Sequence, residues 1–331
     1  MRIRSSAPTR LDLAGGTLDI WPLYLFHEGA RTLNAAITVR AECELSDEGV
    51  DGIHVTSADT GAELRAPDAS ALTGDEEPRL VAHLLRYFQV DRLSVVTRSQ
   101  SPVGAGLGGS SALNIALCGA LAAWLNRAYA PEELIALALN LEAQVIRAPT
   151  GGQDYRPALY GGIASIEMGP GGIRRRPLPI GARELGERIV VAYTGDAHNS
   201  GVNNWEITKR HLDGNRQVID ALGRICEIAG AMERALEQRD WPAVGRYLSA
   251  EWTVRKSLAP HVTTPAIDAL IASGLAAGAT GAKVCGAGGG GCILLLAEPR
   301  NAGAVREALA AGGAQLIDAA IDTEGLRVQR S

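Results

Sequence analysis

Two glycine-rich segments hold residues whose types and spacing could do chemistry. The first runs Ser101-Pro-Val-Gly-Ala-Gly-Leu-Gly-Gly-Ser-Ser-Ala112, the second Gly281-Ala-Lys-Val-Cys-Gly-Ala-Gly-Gly-Gly-Gly291. Without Cβ atoms, successive backbone N–H groups can converge on an anion. Both segments contain G-x-G-x-x-G, at Gly104, Gly106 and Gly109 and at Gly286, Gly288 and Gly291. A dinucleotide fingerprint needs a strand, a tight turn and a helix around those glycines, with an acid about 20 residues on. The β-rich run before the first loop ends near Thr97, several residues too early, and the nearest acids, Glu132 and Glu133, open a helix. The second loop leads into Cys292-Ile-Leu-Leu-Leu-Ala297, a strand and not a helix. No Lys-Ser/Thr pair follows either loop, so a Walker A motif is excluded too. What is left is a glycine loop opening a helix whose first turn carries Ser110 and Ser111. Such a helix N-terminus suits phosphate, and a serine there can cap the helix or reach a nucleotide-bound magnesium ion. A purely structural turn is the alternative.

Two carboxylates come next. At about 100° per residue, the apolar side chains of the helix over 131–147 fill one arc, from Leu137 through Leu134 to Ile146. Glu142 falls inside that arc, between Ala138 and Ile135. A carboxylate aimed into an apolar side is costly unless paired, hydrogen-bonded or metal-bound. A structural salt bridge is the plain alternative. Twelve residues later, Thr150-Gly-Gly-Gln-Asp154 places a second carboxylate where it could face the same metal-nucleotide centre.

The elements that must position these residues are short β-rich runs at 37–45 and 93–97, then two helices over 112–126 and 131–147. Pro131 sits in the first turn of the second helix, with Glu132 and Glu133 well placed for its N-terminal dipole. The segment 169–187, with its GPGG and RRRPLPIG runs, reads as a boundary or surface crossing, and Arg174, Arg175 and Arg176 as solvated. Beyond it lie a strand at 189–193, a long helix at 215–238, a buried strand at 292–297 and a helix at 302–311. Strands and helices mix without strict alternation, which predicts an α+β fold in place of a doubly wound sheet. The division expected is 1–180 and 181–331.

Composition sets the frame. The 331 residues are 46% apolar and 21% charged, ordinary for a globular chain long enough for two cores. A net charge of −5 gives no basic excess for nucleic acid or an anionic membrane. The start, MRIRSSAPTR, is not a secretory signal, and no apolar run is long enough to span a bilayer. Five scattered cysteines without metal-type spacing fit reduced thiols, so a cytoplasmic protein is expected.

Three ordered segments together resemble the GHMP kinases, named for galactokinase, homoserine kinase, mevalonate kinase and phosphomevalonate kinase. They are Ala7-Pro-Thr-Arg-Leu-Asp-Leu-Ala-Gly-Gly-Thr-Leu-Asp19, the loop from Pro102 to Ala112, and the loop from Gly281 to Gly291 with its following strand. The resemblance implies an ATP- and Mg2+-dependent kinase with an N-terminal domain like ribosomal protein S5 domain 2 and a ferredoxin-like C-terminal domain. It implies that Pro102, Gly104, Gly106, Leu107, Gly108, Gly109, Ser110 and Ser111 wrap the ATP phosphates, with Ser110 and Glu142 at the metal. Asp154 would orient or deprotonate the acceptor hydroxyl, and Arg10 would support the transferred phosphate. Asp19, with Gly15, Gly16 and Thr17, would bind the acceptor, and Gly286, Gly288 and Gly289 would close the site. The Ala-Gly-Gly-Thr form of the first segment is similar to the bacterial heptose 7-phosphate and fucose kinase branch, whereas Thr194 to Trp205 departs from it.

The acceptor expected is therefore a sugar or sugar phosphate, heptose 7-phosphate first, with the anomeric oxygen among its candidate hydroxyls. Fucose, galactose or mevalonate, or a non-catalytic nucleotide-binding role, are the alternatives. Between residues 193 and 216, His198, Asn199, Ser200, Asn203, Asn204 and His211 suit polyol recognition, and Lys209 with Arg210 could hold a substrate phosphate. A polar loop and an exposed helix face would explain the same residues. Lys283 could equally be a surface residue, and a homodimer is left open.

Overall fold

The structure, a computed structural model, describes residues 1–195, 200–286 and 288–331. Strand β1 (Arg2–Ala14) alternates in burial up to Ser6 and is buried on both faces from Ala7 onward. Ile3 and Ala7 enter a core beneath the helices of the first half, while Leu11, Leu13 and Ala14 enter a core shared by two sheets. That double burial explains why its sequence holds no clean period of two.

The first sheet has eight strands in the order β12-β1-β2-β5-β3-β4, with β6 on β2 and β7 on β6. These are β2 (Arg31–Ser46), β3 (Ile53–Ser57), β4 (Glu63–Ala66), β5 (Leu93–Ser99), β6 (Ile163–Gly169), β7 (Gly172–Pro177) and β12 (Arg327–Arg330). The helices α1 (Arg79–Phe88), α2 (Gly109–Trp124), α3 (Pro131–Ile146) and α4 (Tyr155–Tyr160) supply its apolar cover. The second sheet is antiparallel, ordered β11-β8-β10-β9, from β8 (Ile189–Tyr193), β9 (Ala279–Val284), β10 (Cys292–Ala297) and β11 (Gln315–Ile317). Around it lie α5 (Ala182–Gly186), α6 (Ser200–Leu212), α7 (Arg216–Gln238), α8 (Trp241–Arg255), α9 (Pro265–Ala276) and α10 (Ala302–Ala311). The architecture is α+β, with two sheets and their helices.

Several expectations need correction. β2 begins at Arg31, not near Ile37, because its first half pairs with β6 and buries polar side chains. Asn34 Nδ2 donates to Thr32 Oγ1 there at 2.8 Å, so the strand lacks an apolar signature. Segment 172–177 is no crossing but a hairpin strand, after which Leu178, Ile180 and Leu185 enter the core between the sheets. Arg176 is not merely solvated: it pairs with Glu167 on β6 and with Glu233 and Glu237 on α7. Arg175 covers the Tyr160 ring. Residues 327–330 return to the first sheet beside β1, although they fall in the expected second half.

Candidate active site

Backbone geometry builds the first glycine loop. Gly104, Gly106 and Gly108 have φ of 70°, 73° and 72°, left-handed values that favour residues without a Cβ. A side chain on Gly106 would collide with the Cys285 carbonyl of the second glycine segment. Cys292 N–H donates to Ala105 O at 2.8 Å and Arg10 N–H to Leu107 O at 2.9 Å, so both segments and β1 hold the loop. Gly108 is the N-cap of α2 and offers no side-chain cap. The first-turn N–H groups, beside Ser110 and Ser111, are thereby left open to an anion.

The loop forms one wall of a cavity of about 660 Å3 also lined by Arg10, Gly16, Thr17, Asp19, Glu142, Asp154 and Gly286. Arg10 Nε and Nη2 each stand 2.7 Å from Asp154 Oδ1, and Nη1 donates to Gly106 O at 2.6 Å. Burial opposes the Arg10 charge, but Asp154 and Asp12 outweigh it and hold the group above its ordinary pKa. Glu142 is 3% exposed, as its place in the apolar arc of α3 predicts. Its Oε2 accepts from Tyr155 OH at 2.7 Å and Ser111 Oγ at 3.0 Å. Burial still pushes this carboxyl above its usual range, with Asp154 adding to the rise against the hydroxyl bonds. Asp19 Oδ2 accepts from Gln153 N–H at 3.0 Å, and Gly151 passes so close that a side chain there would strike the carboxylate. Burial and, second, the Asp154 charge raise Asp19 to about 6.

Behind this wall lies a cluster the sequence did not announce. Lys283 on β9 is fully buried, not a surface residue, and meets Asp12 Oδ2 at 3.2 Å and Glu251 Oε2 at 3.1 Å. Glu251 also takes the Arg255 guanidinium, Nε at 3.0 Å and Nη2 closer still. Arg255, 2% exposed, reaches the cavity wall through Nη1 to Thr17 Oγ1 at 3.0 Å and Nη2 to Gly16 O at 2.8 Å. Burial works against the Asp12 charge, yet Lys283, Arg255 and Arg10 hold it below its ordinary pKa.

Other expected residues lie outside the cavity. Lys209 is exposed, with Asp213 as its acidic neighbour, and Arg210 Nη1 donates to Leu258 O, so neither lines it. Gly15 packs against the Arg31 carbonyl, and Gly288 and Gly289 pack on the backbone at Val262, so these three shape the wall from behind. His198 and Asn199 lie outside the described residues; Asn204 does line the cavity. His211 instead shares a hydrogen bond between its Nε2 and that of His27 at 3.1 Å, buried away from it. Sequence reading missed Tyr155 and Asn114, whose Nδ2 lies 3.4 Å from Glu142. It also missed the wall at Asp59, Glu77, Pro78 and Arg79. An i, i+4 Glu-Arg pair at 251 and 255 was the available signal for the buried cluster.

The donor set fits magnesium held mainly by nucleotide phosphates and water. Such an ion takes one or two carboxylates from protein; Glu142 would supply one, with the Ser110 hydroxyl lining the same cavity. Among the described residues no group of three His, Cys, Asp or Glu side chains could hold a metal alone. No described helix is long and apolar enough to cross a membrane.

Comparison with known proteins bears on the family and the fold. The chain matches the family model "GHMP kinases N terminal domain" over residues 78–162 and "GHMP kinases C terminal" over residues 232–315. It is 27% identical over 338 residues to a D-glycero-alpha-D-manno-heptose 7-phosphate kinase of Campylobacter jejuni, covering 99% of both chains. A mevalonate kinase of Thermococcus sibiricus is 30% identical over 351 residues, again over 99% of each. Among solved structures, a putative sugar kinase from Campylobacter jejuni aligns with TM-score 0.80 at 25% identity, over 100% of this chain and 98% of that one. A D-glycero-D-manno-heptose 1-phosphate kinase from Bacteroides thetaiotaomicron shares the fold with TM-score 0.80 at 23% identity, over 99% of each. The chain belongs to the GHMP kinase family.

Proposed function

We propose that this kinase transfers the γ-phosphoryl group of ATP to a hydroxyl of a heptose phosphate, with heptose 7-phosphate as acceptor and its anomeric oxygen as the attacking atom. One observation carries the reading: the Arg10–Asp154 pair stands in the same cavity as the uncapped start of α2, Glu142 and Asp19. The full-length likeness to a heptose 7-phosphate kinase and the Ala-Gly-Gly-Thr turn support the choice of acceptor. Bound Mg-ATP supplies the transferable phosphoryl group and the cation that neutralises its charge.

Phosphoryl transfer asks the protein for positioning and charge stabilisation more than for covalent chemistry. The backbone N–H groups of 104–111 would cradle the phosphates, and Ser110 and Glu142 would hold the metal. Arg10 fixes Asp154 through one carboxylate oxygen and brings positive charge to the transferred group. Asp154 keeps its other oxygen, Oδ2, on the Gly108 side of the loop, where it aligns the acceptor hydroxyl and accepts its hydrogen. Asp19 and the turn at 16–19 accept hydrogen bonds from the sugar hydroxyls. Five free cysteines support a reducing, cytoplasmic setting.

ADP release with Mg-ATP should be measured across heptose 7-phosphate, free heptose, fucose, galactose, mannose and mevalonate. Heptose 7-phosphate is expected to give the highest kcat/KM; turnover confined to mevalonate would overturn the sugar assignment. Asp154→Asn should lower kcat by about 10²- to 10⁴-fold with ATP binding intact, and unchanged turnover would remove Asp154 from the mechanism.

A further inference from the structure

Beyond the support that Asp12 gives the Arg10 charge, the buried cluster of Asp12, Glu251, Arg255 and Lys283 has no part in the chemistry above, yet it is the most thoroughly enclosed charge in the described structure. Asp12, Glu251 and Lys283 are 0% exposed and Arg255 is 2%. They come from β1, α8 and β9, so one side of the cluster belongs to the first sheet and the other to the second layer. Two positive and two negative charges balance. Burying four ions nonetheless costs more desolvation than their attraction commonly returns, and apolar residues of like volume often serve stability as well or better. A role in geometry explains the cluster where stability does not.

Arg255 carries its hydrogen bonds to the cavity wall. The guanidinium has five N–H donors in a rigid fork. Two hydrogen bonds to Glu251 Oε1, one to Thr17 Oγ1 and one to Gly16 O account for four of them. Thr17 sits at φ 76°, a left-handed value that disfavours a β-branched residue and persists only when neighbours hold it. Gly16 is pressed between Asp12 Oδ2 and Gln153 Nε2, and Gln153 N–H is the donor to Asp19. The turn that ends in Asp19 is therefore gripped from behind by the cluster and from the side by residues 151–153.

We infer that Arg255, fixed by Glu251, Lys283 and Asp12, is the positioning residue that sets the acceptor-binding turn at Gly16–Asp19. This rests on the proposal that the turn binds the acceptor. A lysine at 255 keeps the positive charge but cannot reach Glu251, Gly16 O and Thr17 Oγ1 together. Arg255→Lys should raise the acceptor KM about tenfold, since sub-ångström misplacement of a binding group is costly, while the KM for ATP stays within about twofold, the glycine loop being held by other contacts. Glu251→Gln, which touches no substrate, should move the same constant in the same direction and serves where Arg255→Lys does not fold. An unchanged acceptor KM in both, or equal rises for acceptor and ATP, overturns the positioning role. Asp19→Asn measured alongside separates the two levels. If it leaves the acceptor KM unchanged, the acceptor-turn reading fails; if it raises that KM while Arg255→Lys does not, only the role of Arg255 fails.

Discussion

A carboxylate as enclosed as Asp19 titrates far from where a solvated aspartate does. Burial first and the Asp154 charge second lift it from 3.8 to about 6. The fold thus disfavours the ionised form. Below about pH 4 the group is protonated both folded and unfolded and there is no penalty; the penalty builds between about pH 4 and 6, where only the unfolded chain ionises, and levels off above 6 at a value on the order of 3 kcal/mol. Asp19→Asn should then be the more stable protein above pH 7 and show no advantage below pH 4, as urea midpoints at the two pH values would reveal. Activity should move the other way. If the ionised carboxylate accepts the acceptor's hydroxyls, kcat/KM for the acceptor falls about tenfold per unit below pH 6, and a flat profile would remove Asp19 from acceptor binding. At this scale the sequence was informative where a residue broke a pattern. Glu142 inside an apolar arc was legible because helical geometry places it there whatever surrounds it. Lys283 was not, because a lysine in a glycine-rich segment reads the same whether water or two carboxylates surround it, and its partners lie 32 and 271 positions away in the chain.

Among the elements, the two glycine segments act as one. Gly106 sets its Cα against the Cys285 carbonyl while its own carbonyl takes Arg10 Nη1. Gly106→Ala adds a left-handed strain of about 1 kcal/mol and a collision that backbone can relieve only by moving the loop. The KM for ATP should rise about tenfold with a lowered Tm, because the N–H groups that meet the phosphates lose their convergence. Gly171→Ala, on a hairpin turn with nothing within 4 Å of the added methyl, should change neither, which makes it the control. The strands 189–193 and 292–297 were readable to the residue because apolar runs bounded by glycine or polar residues leave little freedom in their limits. The start of β2 and the hairpin strand β7 were hidden, one by buried polar side chains that satisfy each other and the other by arginines whose acidic partners come from α7 and β6.

For the whole molecule, the decisive feature is the return of residues 318–331. Asp322 pairs with Arg40 on β2, both nearly excluded from water, while its backbone bonds Ala36 and Gly162. Leu326 N–H reaches Leu159 O at 3.0 Å, and β12 lies against β1. Asp322→Ala leaves a buried guanidinium without its counter-ion, and a loss of about 3–5 kcal/mol is expected, read as a lower urea midpoint with both KM values unchanged at 25 °C. A rise in either KM would show that this clamp communicates with the cavity. No local pattern in 318–331 foretold such a path, since pairing between strands some 300 residues apart leaves no mark on either segment alone. The same path has a consequence for synthesis. As the chain grows from its N-terminus, β1 emerges early with one edge unpaired, and β12 is made only after the entire second layer. A nascent first layer must therefore wait with an open strand edge, the kind of surface that pairs with the wrong chain, so a stall or truncation late in translation would release a product with that edge still exposed.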